Sequence, residues 1–92
     1  MNHLELTGIV VKVYEQIITP AKVLVSRFVI EHSSTQNEAG INRLVKCRMF
    51  CVVIGKKLND DLMNKMVNAK GFLSMNANRQ IVFHVNQIQI LD

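Results

Sequence analysis

The sequence has few of the residues from which covalent cross-links and metal sites are built. Among its 92 residues there are only two cysteines, Cys47 and Cys51. In a strand, that spacing separates them by roughly 13 Å along one face, which is too far for a disulfide or for a shared zinc ion. We therefore expect two buried thiols in a reducing compartment, with no metal ion held between them.

Long apolar runs and a leader-like start are also absent. The apolar stretches are strand-sized and fall short of the roughly 18–20 residues that cross a bilayer. Residues 1–5 do not place a basic segment before an apolar run, as a secretory signal does. We expect a cytoplasmic protein that does not associate with membranes.

Residues that could form a catalytic centre are scarce and scattered. The three histidines, His3, His32 and His84, stand far apart, and neither a Ser-His-Asp order, a metal-ligand spacing nor a phosphate-binding glycine pattern occurs. Asp60 and Asp61 are adjacent and would not face each other on a helix, so they suit the positive end of a helix dipole better. We expect no enzyme activity, and a structural hydrogen-bonding role for His32.

The composition that remains is that of a small, basic globular domain. Hydrophobic residues make up 49% and charged residues 20%, and 11 Lys plus Arg against 7 Asp plus Glu give a net charge of +4. This length predicts a single domain over residues 1–92 with a modest core. Positive charge attracts polyanions, although many small proteins carry such a charge without binding nucleic acid.

Short strands separated by turn residues run through the chain, a pattern typical of a small all-β barrel. We predict strands one to five at residues 4–14, 23–32, 41–54, 67–75 and 81–91. Gly8 and Gly71 interrupt strands one and four, as glycines do at bulges and bends. Pro20 breaks the chain before strand two, the polar residues 33–40 predict a loop of about eight residues, and residues 76–79 predict a tight turn.

The period changes after strand three. Leu58, Leu62, Met63 and Met66 recur at helical spacing, and Asn59 suits the N-cap. This predicts a short helix of two to three turns between strands three and four. The order β-β-β-α-β-β is that of the OB-fold, an all-β, five-stranded Greek-key barrel, and a fold alone does not identify a ligand.

Residues 28–40, FVIEHSSTQNEAG, resemble the signature F-V-L-E-H-x-S-x-Q-x-E-A-G of the primosomal replication protein N (PriB) family. Residues 4–8, 70–74 and 83–88 resemble the family's first, fourth and closing strands, so the resemblance spans the chain. It implies a non-catalytic homodimer of OB-folds that binds single-stranded DNA and uses no cofactor. It also implies work with the restart helicase PriA, and often with the loader protein DnaT, at stalled replication forks.

Candidate DNA contacts follow from what single-strand binding needs, namely cations along the backbone path and flat surfaces for stacking. Lys46 and Arg48 share the even-numbered face of strand three. The complete set of expected DNA-binding residues is Arg27, Ile41, Arg43, Lys46, Arg48 and Arg79. Alternatives stay open for these residues. The basic residues could form a solvated strand face, Arg79 could be a simple turn residue, and Arg27 could pair with Glu31 or lie at a subunit interface. Phe50 shares the face of Lys46 and Arg48, and a place in the core or a dimer interface is the alternative to stacking for it.

Aromatic residues are few where the resemblance would place them. Family members carry an aromatic residue where this chain has Ile41, and another where it has Lys46; the chain has no tryptophan and a single tyrosine. Each stacked base contributes ~1–3 kcal/mol, so we expect weaker and more salt-sensitive DNA binding than is usual in the family. The alternative is an adaptor that chiefly binds proteins. An RNA-binding domain of the cold-shock type is disfavoured, because its aromatic-rich strand motifs are missing.

Overall fold

A closed β-barrel forms the body of the molecule in a computed structural model, which describes residues 1–58 and 61–91. The strands are β1 (Leu4–Val13), β2 (Ile17–Ile18), β3 (Leu24–Glu38), β4 (Ile41–Ile54), β5 (Met66–Met75) and β6 (Ile81–Ile90). Five of them close in the order β1–β5–β6–β4–β3 and back to β1, and the two-residue β2 pairs with β3. The pairs are antiparallel except β4 with β6, which is parallel. The all-β, five-stranded barrel is thus confirmed.

Inward-facing residues of the strands fill the barrel with a single core. The alternation of apolar and polar residues that predicted the strands also selects these inward positions. Its fully buried members are Val10, Phe28, Ile30, Cys51, Val67, Ala69 and Phe83. Predicted strands one, three, four and five agree with β1, β4, β5 and β6 to within one residue, because their outer and inner faces differ in polarity.

Two glycines allow neighbouring strands to approach closely. A Cβ on Gly71 would collide with the backbone carbonyl of His84, and one on Gly8 with the carbonyl of Glu31. The β5–β6 register shifts next to Gly71, as predicted for a bulge. Near Gly8 the shift falls further on, between Val10 and Lys12, so Gly8 serves close packing rather than the bulge itself.

The expected eight-residue loop at 33–40 is wrong. Predicted strand two continues as β3 to Glu38, and these polar residues pair in register with β4 from Ser33–Lys46 to Glu38–Ile41. Only Ala39 and Gly40 form the turn, with φ of 52° and 79°. Most side chains of this hairpin are exposed, so the ladder needs no apolar face and the alternation that normally marks a strand is missing.

The helix expected between strands three and four is also wrong. Asn59 and Asp60 lie outside the described residues, and residues 61–65 form turns. Asn64 has a φ of 67°, which a right-handed helix does not accommodate. Its N–H donates to the Val10 carbonyl, while the Val10 N–H donates to the Lys65 carbonyl. The backbone thus bonds to β1 instead of to itself. Leu62 is buried in the core all the same, which explains the apolar spacing.

Two smaller expectations had different outcomes. Cys51 is buried as predicted, but Cys47 is exposed, because it lies where β4 has left the barrel. His32 has the structural role expected of it: Nδ1 lies 2.6 Å from the Thr7 carbonyl and Nε2 lies 2.7 Å from the Ser34 hydroxyl. The imidazole therefore ties β3 to β1. No helix among residues 1–58 and 61–91 is long and apolar enough to cross a membrane.

Candidate nucleic-acid interface

The outward-facing side chains of β3 and β4 form a continuous surface, which we call the outer face. Successive side chains of a strand point to opposite sides, so the even positions of β4 face outward together. Lys46, Arg48 and Phe50 are three of them. In the register of the pair they stand opposite Ser33, Glu31 and Val29 of β3.

Lys46 and Arg48 are both exposed, but their charges are held differently. Arg48 Nε lies 2.8 Å from Glu31 Oε2, and these side chains are 71% and 39% exposed. Such solvent-screened pairs contribute only ~0–1 kcal/mol to stability, yet Glu31 offsets the positive charge that Arg48 presents. Lys46 faces the polar Ser33 and so has no carboxylate directly opposite in the β3–β4 register.

Arg27 is half-buried at the barrel end of the outer face. Its Nη2 donates to the Glu15 carbonyl at 3.2 Å, and its Cζ lies 5.2 Å from the centre of the Tyr14 ring. The Nε is buried without a hydrogen-bond partner. Glu31 pairs with Arg48, so the alternative pairing of Arg27 with Glu31 is not what the structure shows.

The other three expected contacts lie elsewhere. Ile41 and Arg43 are exposed but occupy odd positions of β4, so they point to the opposite side of the hairpin from Lys46. Arg79 is exposed in the β5–β6 turn with a φ of 62°. There Asn76 Oδ1 accepts hydrogen bonds from the N–H groups of Asn78 and Gln80, which orders the turn that carries Arg79.

An aromatic pair on the outer face was missed by sequence reasoning. Tyr14 follows β1, and its ring centre lies 5.8 Å from that of Phe50, at an interplanar angle of 58°. Lys12 Nζ lies 4.7 Å from the Tyr14 ring centre. The two-residue spacing of Lys12 and Tyr14, which places them on one side of a strand, was the signal available. Tyr14 and Phe50 are 36 positions apart in the sequence, so no local pattern indicates their contact.

A shallow groove of about 510 Å³ adjoins this pair. Its walls come from the end of β1, from β4 and from the start of β6, and its lining residues are Tyr14, Arg48, Met49, Phe50, Gln80, Ile81 and Val82. We call it the Tyr14–Phe50 groove. Its lining combines apolar side chains with the guanidinium of Arg48 and the amide of Gln80, and it lies beside the turn that carries Arg79.

Elsewhere on the surface, Phe72 stacks flat on His84, with 4.9 Å between ring centres and an angle of 6°. These two residues line a separate cavity with Lys56. Within the described residues, no cluster of three or more His, Cys, Asp or Glu side chains could hold a metal ion. The outer face thus brings together exposed cations, an aromatic pair and a groove.

A closed barrel with a basic, partly aromatic outer face defines a class, the OB-fold single-strand-binding proteins. The family model described as "Another single-strand binding protein family" matches residues 2–87. The Replication restart protein PriB of Proteus mirabilis is 39% identical over 99% of this chain and 94% of its own length. The chain belongs to the PriB family of single-strand-binding proteins.

Solved structures share the fold at lower sequence identity. PriB from Ralstonia solanacearum superposes with a TM-score of 0.85 at 21% identity, covering 100% of this chain and 99% of that one. The single-stranded DNA-binding protein from Thermus aquaticus superposes with a TM-score of 0.80 at 15% identity, and the match covers 100% of this chain and 50% of that protein. The family is one of binding proteins, which agrees with the expectation that this chain is not an enzyme.

Proposed function

We propose that this chain binds single-stranded DNA on its outer face and acts in replication restart. The observation that carries the proposal is the row of Lys46, Arg48 and Phe50 along β4, which leads into the Tyr14–Phe50 groove. Cations beside aromatic rings are what non-specific single-strand binding requires. The curated relatives that are named for replication restart match the chain from end to end, which supports the biological role.

Charge reversal on the outer face tests the proposal. The variant Lys46→Glu/Arg48→Glu should bind a fluorescent oligothymidine at least about tenfold more weakly at low salt, because attraction becomes repulsion at two adjacent positions. The matched control is Lys56→Glu/Lys57→Glu, which makes the same change in net charge away from the outer face. Anisotropy titrations report both affinities. Equal losses in the two variants, or no loss in the first, would contradict the proposed site.

The finer roles follow the family resemblance. The protein would stabilise the restart helicase PriA on single-stranded DNA and help to recruit DnaT, in the cytoplasm beside the chromosome.

We also propose a homodimer. In the register of the described strands, the first half of β1 pairs with β5 on one side. Its other edge meets β3 at Thr7, whose carbonyl contacts His32, and at Gly8, which packs against Glu31. The segment from Leu4 to Leu6 has no strand partner on that edge within the described residues. An open edge is a place where a second chain can pair. Light scattering at micromolar concentration should give twice the mass of one chain.

A second candidate function, a protein-binding adaptor, is favoured by one observation. Ile41 and Leu44 are 63% and 69% exposed near the tip of the β3–β4 hairpin. Electrostatic binding of DNA does not require exposed apolar side chains, whereas a protein partner could cover them. The double charge reversal separates the two functions. If it leaves DNA binding unchanged and abolishes binding to the helicase, the adaptor function is the correct one.

A further inference from the structure

We infer that a base of the bound strand enters the Tyr14–Phe50 groove, where it stacks on one of the two tilted rings and contacts the other. The inference rests on the proposed function and names the residues that recognise bases instead of phosphates. Neither ring belongs to the buried core: both side chains are half-buried. The two rings line one groove, so each keeps part of its surface available to a ligand.

The size and lining of the groove suit a flat, partly polar ligand. Its volume of about 510 Å³ falls within the ~300–1,000 Å³ of small-ligand sites. Phe50 and Val82 supply apolar surface. Gln80 carries an amide whose oxygen accepts from Asn76 at 3.3 Å and whose NH₂ group can donate to a ligand. A nucleobase has this character, with two apolar faces and polar edges.

The positive charges around the groove favour a base that belongs to a polyanion, that is, to a nucleic-acid strand. Arg48 lines the groove itself, and Lys12 lies against the Tyr14 ring at 4.7 Å. Lys12 is exposed, so its ammonium group is free to reach a phosphate. Arg27 is held by the Glu15 carbonyl and supports the Tyr14 ring from within the sheet. A phosphate would therefore meet a cation on either side of the stacked base.

The position of the groove agrees with the path of a strand along β4. Phe50 lies four residues from Lys46 on the same face, roughly 13 Å along the strand. A positively charged groove that tracks the backbone and aromatic rings that stack the bases act side by side in single-strand binding. A chain bound to Lys46 by a phosphate would reach the groove without crossing the barrel.

Removing the rings while keeping apolar volume tests the inference. Phe50→Leu and Tyr14→Leu should each weaken binding to an oligothymidine by about fivefold or more, the lower end of what one stacked base contributes. Tyr14→Phe, which retains a ring, should stay near the unaltered affinity. The matched control is Phe72→Leu, which removes a ring that is 41% exposed but lies outside the groove, and it should have no effect.

Two further measurements separate stacking from charge. An abasic oligonucleotide of the same length should bind the unaltered protein and Phe50→Leu equally, and the slope of log affinity against log salt should be the same for both. Tyrosine fluorescence is specific to this site, because the chain has one tyrosine and no tryptophan. We expect base-containing DNA to quench it and abasic DNA to leave it nearly unchanged, after correction for absorbance.

The outcomes distinguish this inference from the proposed function. If DNA binds but Phe50→Leu and Tyr14→Leu behave like Phe72→Leu, the stacking site is refuted while the proposed function stands. The inference is equally refuted if Phe50→Leu changes the mass measured by light scattering, since Phe50 would then belong to a subunit interface. If the unaltered protein binds no single-stranded DNA, both fail together.

Discussion

Arg48 and Glu31 face each other across β4 and β3, and their ion pair sets the charge of the outer face. If the outer face binds DNA as proposed, the Glu31 carboxylate repels phosphates and competes with them for the guanidinium. At a separation of about 4 Å in water, one such interaction amounts to ~1 kcal/mol. We therefore expect the acidic side chain of Glu31, and not a shortage of basic residues, to limit DNA affinity on this face.

Replacing Glu31 by glutamine should strengthen DNA binding. Glu31→Gln removes the negative charge and releases Arg48, so we expect affinity for an oligothymidine to rise about three- to tenfold at low salt, and less at high salt because exposed charges are screened. Glu5→Gln is the control, with the same change in charge on a β1 residue that contacts Asn68. Anisotropy titrations measure both variants. A loss of affinity in Glu31→Gln would show that the ion pair orders the site.

Cys51 gives stability an alkaline limit. Burial in the core raises the pKa of its thiol from 9.0 to about 12. The thiol is neutral in both states below about pH 9, so stability there is fully retained. Above that pH the unfolded chain ionises while the folded chain does not, which favours unfolding by up to ~1.4 kcal/mol per pH unit. Urea unfolding at pH 8, 9 and 10 should show this loss, and Cys51→Val should show less of it. Parallel pH profiles for the two proteins would contradict this assignment.

The β3–β4 hairpin extends beyond the barrel. It pairs continuously from Val25–Ile54 to Glu38–Ile41, and its outer half is exposed. The turn has positive φ at both Ala39 and Gly40, the geometry of a type I′ turn, which favours Asn-Gly. Alanine in this conformation is strained by ~1–2 kcal/mol. Ala39 is therefore less favourable at this position of the turn than asparagine would be.

Relieving this strain should stabilise the hairpin more than the barrel. Ala39→Asn should slow amide hydrogen exchange near the tip by about two- to fivefold, corresponding to ~0.5–1 kcal/mol. Global unfolding should change little, because the tip contributes no core residue. Ala39→Val, which disfavours positive φ, should speed exchange at the same amides. Equal exchange in the two variants would mean that the tip opens independently of its turn.

At the scale of the whole molecule, net charge and shape govern association with DNA. The molecule extends over 51 × 31 × 21 Å and carries a net charge of +4. Two outer-face cations, Lys46 and Arg48, lie on the hairpin, and Arg79 lies in the β5–β6 turn beside the Tyr14–Phe50 groove. Binding that depends on such a surface releases counterions and weakens as salt rises.

The salt dependence of DNA affinity should report how many cations of the protein contact phosphates. The slope of log affinity against log salt should be about −2 to −3 if three or four cations reach phosphates, at about −0.7 for each. Lys46→Ala should reduce its magnitude by about 0.7, whereas Lys57→Ala should leave it unchanged. Titrations at four or more salt concentrations provide both values. A flat response would exclude an electrostatic mode of binding.

The fold was predictable from the sequence wherever one face of a strand is buried. Phe28 and Ile30 in β3, and Cys51 and Val53 in β4, alternate with more exposed residues, and the prediction followed them correctly. Where both faces meet solvent, as in residues 33–38, no alternation is needed and the strand was taken for a loop. Around Leu62 the apolar spacing reflected burial, but backbone bonds to Val10 replaced the helix.

The sequence by itself determined the five-stranded barrel, the family and the outward row of Lys46 and Arg48, because each depends on local alternation or on a contiguous motif. Only the tertiary structure decided that Arg48 is paired with Glu31 and that Tyr14 meets Phe50. Both contacts depend on register and barrel closure, which bring together residues 17 and 36 positions apart. Long-range pairing of this kind has no local signal, so the base-binding groove emerged only from the folded chain.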